Sequence, residues 1–189
     1  MSRRIPSRGT LLKLAGVMVL ACGLTPLATT PANAYPPAGW FQLRTTVQDQ
    51  IGAFRAMDVL SESAQVDGTI RLAGASITDQ QRWKVRLVSG HIGDIRLENK
   101  LTGQCITYAS VVPPKAVIAP CRAAETVFEA VSVGNGWVFQ SRTTFSGDFK
   151  VCLQAEPGFG PHFGHVIMGS CHSGGPYDPL AVWNTVSIP

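Results

Sequence analysis

Two stretches of the chain repeat one another. The first reads Gly93-Asp94-Ile95-Arg96-Leu97, then Thr102-Gly103-Gln104-Cys105-Ile106, then Val117-Ile118-Ala119-Pro120-Cys121. The second reads Gly136-Trp137-Val138-Phe139-Gln140-Ser141, then Lys150-Val151-Cys152-Leu153-Gln154, then Val166-Ile167-Met168-Gly169-Ser170-Cys171. Each is a strand-like run, a turn, a strand carrying Cys, a loop, and a strand that ends in Cys. Repetition at this period implies a fold assembled from copies of one supersecondary unit. Such folds present binding surfaces, so recognition is expected before catalysis.

Working outward, the pattern is β throughout. Phe41-Gln42-Leu43-Arg44, Thr69-Ile70-Arg71-Leu72 and Lys84-Val85-Arg86-Leu87 alternate apolar with polar residues, and Gly, Pro, Asp and Asn punctuate between runs. No ten-residue stretch has a convincing helical period; 50–60 comes nearest, and Gly52 weakens it. Three units follow, about 40–88, 89–133 and 134–188. Each ends in an aromatic strand, around Trp83, Phe128 and Trp183. Three units of roughly four strands can close into a barrel with a hairpin cap, which removes exposed sheet edges. The recurrent aromatics then meet in a shared core.

The first 34 residues read as an export signal. Arg3, Arg4, Arg8 and Lys13 precede an apolar run from Leu14 to Gly23, and Ala32-Asn33-Ala34 has the small-x-small form of a cleavage site. The apolar run is too short for a spanning helix. Two variants compete. Ser2-Arg3-Arg4 resembles a twin-arginine signal but is followed by Pro6, and Leu20-Ala21-Cys22-Gly23 resembles a lipoprotein box that would leave Cys22 lipidated at a membrane surface. The chain is thus expected to be secreted, as a short linker at 35–39 and one domain at 40–189.

Removing the signal alters the charge argument. Sixteen Lys and Arg stand against twelve Asp and Glu, and four of the basic residues lie before Tyr35, with no acidic residue among them. The remainder has equal numbers of each sign, so the basic pI belongs to the signal. No basic run marks a nucleic-acid face. Four cysteines remain, an even number in an exported chain, which implies two disulfides. Of three possible pairings the repeat favours Cys105–Cys121 and Cys152–Cys171, each closing one unit and each adding about 3 kcal/mol in the chain-entropy model. No two cysteines have the tight spacing of a zinc site.

These residues resemble the ricin B-type β-trefoil family. Gln81-Arg82-Trp83 matches that family's Gln-x-Trp in full, while Phe128 and Trp183 keep the aromatic without the Gln. Asp94-Ile95-Arg96-Leu97-Glu98-Asn99 followed by Thr102-Gly103-Gln104-Cys105 resembles its strand–turn–strand opening. The resemblance spans most of 40–189. It implies an all-β trefoil and shallow carbohydrate pockets, at most one per unit. In such pockets a carboxylate accepts sugar hydroxyl protons, an aromatic ring stacks on the pyranose and an amide completes the hydrogen bonding.

Carried over residue by residue, the resemblance leaves one candidate pocket. The carboxylate position, two after the first Cys, is Thr107 in the second unit and Gln154 in the third. The aromatic position is Ala119 and Gly169. The first unit lacks both cysteines, which would fall near Ala56 and Ala75. Its Ala56-Met57-Asp58-Val59 places Asp58 at the carboxylate position, with Gln80 at the amide position. Its platform position is Ala73, so a sugar would need another aromatic such as Phe54. Gln81, Trp83, Phe128 and Trp183 are expected to be structural, the Gln tying backbone groups and the aromatics filling the core.

Other motifs lead to little. His172-Ser173-Gly174-Gly175-Pro176 resembles a serine-protease nucleophile segment, but lacks that family's upstream His segment and the length to finish a second barrel. His162, His165 and His172 suggest a metal only if they converge, and the surrounding glycines argue for an irregular loop. Asp94 with Glu98, and Glu125 with Glu129, are expected on solvated faces. Phe159 and Phe163 sit among glycines as possible contact residues, and Pro113-Pro114-Lys115 is a candidate inhibitory loop. The expectation is therefore a non-enzymatic module without cofactor or metal, binding a glycan weakly. The alternative is a protein-binding trefoil of the toxin-subunit or protease-inhibitor kind, whose partner is a surface or secreted protein.

Overall fold

Alternation does produce strands. The computed structural model describes residues 35–49, 51–59, 68–109, 114–143, 150–156, 164–172 and 177–188. Among them run twelve strands: β1 Phe41–Thr45, β2 Arg55–Val59, β3 Ile70–Gly74, β4 Trp83–Leu87, β5 Asp94–Asn99, β6 Cys105–Ala109, β7 Lys115–Ala119, β8 Phe128–Val133, β9 Gly136–Ser141, β10 Val151–Glu156, β11 His165–Ser170 and β12 Trp183–Ser187. Three 3-10 turns, Asp79–Gln81, Ala124–Thr126 and Pro179–Ala181, each lead into an aromatic strand. The export segment read over 1–34, with Cys22, lies outside the described residues, as do Pro113, Phe159, His162, Phe163 and Ser173.

The pairings repeat with every fourth strand. β1 meets β4 at Phe41 and Trp83, β5 meets β8 at Ile95 and Phe128, and β9 meets β12 at Trp137 and Trp183. β4–β5, β8–β9 and β12–β1 complete a closed antiparallel ring of six strands. Closure satisfies every strand edge of the ring from within. The remaining strands form three hairpins, β2–β3, β6–β7 and β10–β11.

Backbone hydrogen bonds tie each hairpin to the next, in a cycle. Leu72 N donates to Gly164 O at 3.1 Å, Ile118 N to Gly68 O at 3.0 Å and Met168 N to Pro114 O at 2.7 Å. Donor and acceptor are spaced alike in all three, so the cycle reports a threefold relation among the described strands. Gly68 shows why the approach is close. It has φ of 50°, and a Cβ there would lie 2.5 Å from Ile118 Cγ1.

Trp83, Phe128 and Trp183 are wholly buried, as the sequence led one to expect. Trp83 Nε1 donates to Met57 O at 3.1 Å and Trp183 Nε1 to Leu153 O at 3.0 Å, which are equivalent carbonyls in their units. Phe128 has no N–H to offer and fills the same place by packing alone. Leu43, Leu97 and Phe139 of the ring and Met57, Ile106 and Leu153 of the hairpins complete the core.

Both disulfides form as the repeat favours, Cys105–Cys121 and Cys152–Cys171. The first unit has no thiols and uses a side-chain amide instead. Gln81 Nε2 donates to Gly74 O at 2.8 Å, and Gln81 Oε1 accepts from Ser76 N at 2.8 Å. The amide thus grips the backbone at the point where the other units carry a half-cystine. It is buried where replacement leaves several polar groups unpaired. Gln81→Ala should lower the unfolding free energy by about 2–3 kcal/mol. That is close to the loss of about 3 kcal/mol expected when Cys105 and Cys121 are both changed to Ala. Urea denaturation of the oxidised proteins measures both, and a change near zero for Gln81→Ala would remove the clasp.

Candidate ligand-binding site

Strand register settles which residues are equivalent. Ala56 lies opposite Arg44 and Ala73, Cys105 opposite Glu98 and Ala119, and Cys152 opposite Gln140 and Gly169. Asp58, Thr107 and Gln154, two residues further on, therefore share one position in the three hairpins.

That position differs in each unit. In the third, the Gln154 side chain lies across Gly169 and donates from Nε2 to Ser170 O. A Cβ on Gly169 would fall 1.9 Å from Gln154 Oε1, so the surface where a platform ring would stand is already covered. In the second, Thr107 is buried and its hydroxyl approaches Glu125 O at 3.4 Å. Only the first unit presents a charged group there.

Asp58 is 7% exposed. Its Oδ2 accepts from Gln81 Nε2 at 2.9 Å. Its Oδ1 faces Arg71, directly opposite on β3, at 3.8 Å from Nε. At that distance the guanidinium attracts without hydrogen bonding, and Arg71 Nε is buried with no hydrogen-bond partner among the described residues. Burial pushes the Asp58 carboxyl above the usual Asp range, against the lowering effect of the Gln81 bond and the Arg71 charge. A relay continues inward: Gln42 Nε2 donates to Gln81 Oε1 at 3.1 Å, and Arg44 grips Gln42 Oε1 from Nε at 3.1 Å and Nη2 at 2.7 Å.

The other named candidates fall elsewhere. Gln80 is half-buried and contributes its main-chain oxygen, which accepts from Asn99 Nδ2 at 2.8 Å. The amide that reaches Asp58 is its neighbour Gln81. Within the 3-10 turn Gln80, the middle residue, stays half-buried while Gln81, the last, is buried, which sequence spacing alone does not distinguish. Phe54 precedes β2 and is 48% exposed. It stands four strand residues from Asp58, or roughly 13 Å, so it flanks the carboxylate at a distance.

Two expectations are corrected. Asp94 and Glu98 are buried, not solvated: Asp94 Oδ1 accepts from Arg142 Nε at 2.6 Å, and Glu98 pairs with Arg86 and with Lys84. Their partners come from β4 and from the residue after β9, which no local pattern reveals. Lys115 belongs to β7 and pairs with β11, and Pro114 O accepts from Met168 N. This part of the supposed inhibitory loop is hairpin backbone. Of the histidines, His165 lies on β11 and His172 stacks on Tyr177. Among the described residues no three His, Cys, Asp or Glu side chains converge on a metal position, and no helix is long and apolar enough to cross a membrane.

A closed six-strand ring capped by three hairpins is the β-trefoil fold, and solved structures share it. The designed threefold-symmetric protein ThreeFoil matches with a TM-score of 0.57 and 20% identity, over 79% of this chain and 99% of its own. The Rhizoctonia solani agglutinin matches at 0.63 and 16%, over 83% and 100%. The cytolethal distending toxin of Actinobacillus actinomycetemcomitans matches at 0.56 and 16%, over 78% of this chain and 90% of that one. No protein-family model matches the chain, and no curated protein matches it in sequence.

The raised carboxyl carries a sign that can be tested. A group held above its unfolded value contributes stability in acid and loses it as pH rises through the folded value. Asp58→Asn mimics the protonated form and keeps an acceptor for Gln81. It should raise Tm at pH 7 and match the parent protein near pH 3, measured by thermal unfolding across that range. An equal or lower Tm at pH 7 would mean that burial does not dominate at Asp58.

Proposed function

We propose that this chain is an exported, non-enzymatic recognition module that binds glycans weakly through its first unit. The observation that supports this most directly is the gap between Asp58 Oδ1 and Arg71 Nε. A buried N–H without a hydrogen-bond partner among the described residues faces a carboxylate oxygen 3.8 Å away. A hydroxyl is the group that fits, because it donates to the carboxylate and accepts from the guanidinium. Sugars present hydroxyls on a rigid ring, so little freedom is lost on binding. Without a platform at Ala73 the apolar contribution is small, and millimolar affinity is expected. The fold is shared with an agglutinin and with a toxin, which agrees with surface recognition, and the basic-then-apolar run before Tyr35 supports secretion.

A second reading rests on a separate observation. The loop before β2 is pinned by Asp49, whose Oδ1 accepts from Ile51 N at 3.0 Å and Ala53 N at 2.8 Å. Ile51 and Phe54, on either side of the Ala53 contact, are exposed, as is Ile77 after β3. A rim of this kind suits a protein partner.

A glycan array probed with the oxidised chain and with Asp58→Ala tests the first reading. Selective signal that falls at least tenfold in the variant is expected. A blank array, or signal unchanged in the variant, ends it. Capture from culture supernatant that is lost in Phe54→Ser and retained in Asp58→Ala would favour the second.

A further inference from the structure

The junction of the second and third units holds a polar row that the Asp58 pocket does not use. Asp94 on β5 lies opposite Glu129 on β8, Glu129 opposite Gln140 on β9, and Gln140 opposite Cys152 on β10. Phe139 and Leu153 point into the core, so their neighbours Gln140 and Cys152 lie on the outer side of the ring. Opposed residues on one face have Cβ atoms about 5 Å apart.

Gln140 is 3% exposed. Its Nε2 donates to Tyr177 Oη at 2.9 Å, and its Oε1 has no partner among the described residues. Turning the amide over changes nothing, because one end would still bond the phenol and the other would remain alone. Buried amides are nearly always paired, so the free end calls for a partner. Tyr177 Oη, in accepting from Gln140, keeps its own proton to give. The Tyr177 ring packs on the apolar cluster of Val138, Cys152, Cys171 and Ala181, and stacks on the exposed His172 ring at 4.7 Å. Glu129 is partly exposed, with Arg142 Nη1 at 3.2 Å and Lys150 Nζ at 3.7 Å. Arg142 also holds Asp94.

We propose that Glu129, Gln140 and Tyr177 form a second subsite, for one hydroxyl-rich ring such as a pyranose or cyclic polyol. A hydroxyl satisfies the free amide end whichever way the amide is turned. A neighbouring hydroxyl accepts the Tyr177 proton, and another donates to Glu129. The Tyr177–His172 pair offers a face to ring C–H groups. An anion is disfavoured by the two carboxylates, and a cation by Arg142 and Lys150, which already balance them. The equivalent places in the other units are filled: Lys84 pairs with Glu98, and Arg44 turns to Gln42.

The test is a titration of the 15N-labelled, oxidised chain with galactose, N-acetylgalactosamine, glucose and myo-inositol, each to about 50 mM, the range for millimolar binding. The Gln140 side-chain NH2 signals report this subsite and those of Gln81 report the Asp58 pocket, so the two readings fail separately. Saturable shifts at Gln140 with at least one probe are expected. They should weaken about tenfold in Tyr177→Phe and in Glu129→Gln, and persist in Asp58→Asn. No saturable shift at Gln140, shifts that survive both substitutions, or shifts abolished by Asp58→Asn would overturn the subsite. Glu129→Gln alters a partly exposed side chain, so it decides the matter even if Tyr177→Phe does not fold.

Discussion

The cycle of backbone hydrogen bonds from Leu72 to Gly164, Ile118 to Gly68 and Met168 to Pro114 is the constraint on which the rest depends. Each bond joins one hairpin to another, so no unit closes its own cap. The ring beneath it works alike, since β4, β8 and β12 each pair with the first strand of the following unit. A single unit would expose unpaired edges and its one aromatic of the three. Three make a structure with neither, and the cooperativity follows from that geometry.

Within this frame one position is built in three chemistries. Gln42 donates to Gln81, Arg96 donates to Thr126, and Val138 and Ala181 share an apolar cluster with the bonded half-cystines Cys152 and Cys171. The third solution is apolar and covalently closed. The first is a chain of amides held by hydrogen bonds, and it is the one that keeps a carboxylate, Asp58, at its end. Burying that charge is costly, and the Gln81 bond and the Arg71 charge offset the cost only in part.

Much of the fold was legible because its signals are local. Alternation marks strands, Gly and Pro mark turns, and the repeat that carries Cys105, Cys121, Cys152 and Cys171 marks the unit and favours the pairing. The site was legible only in part. Asp58 could be found by aligning Ala56 with two cysteines. Its true amide partner, Gln81, could not be separated from Gln80, because they are adjacent and only the turn decides which faces in. Asp94 and Glu98 were misread, since acidic residues on alternating strands look solvated until their distant cations are in place. Nothing in the pattern around Gln140 or Tyr177 singles them out.

The sequence by itself determined the β character, the repetition of one unit and the three aromatic positions, and favoured one of three disulfide pairings. Each depends on periodicity or residue type within one unit. Tertiary structure alone decided which polar side chains are buried and which remain unpaired. Those properties arise between residues distant in sequence, from different units as with Asp94 and Arg142 or from distant parts of one unit as with Gln140 and Tyr177, and folding rather than local pattern brings them together.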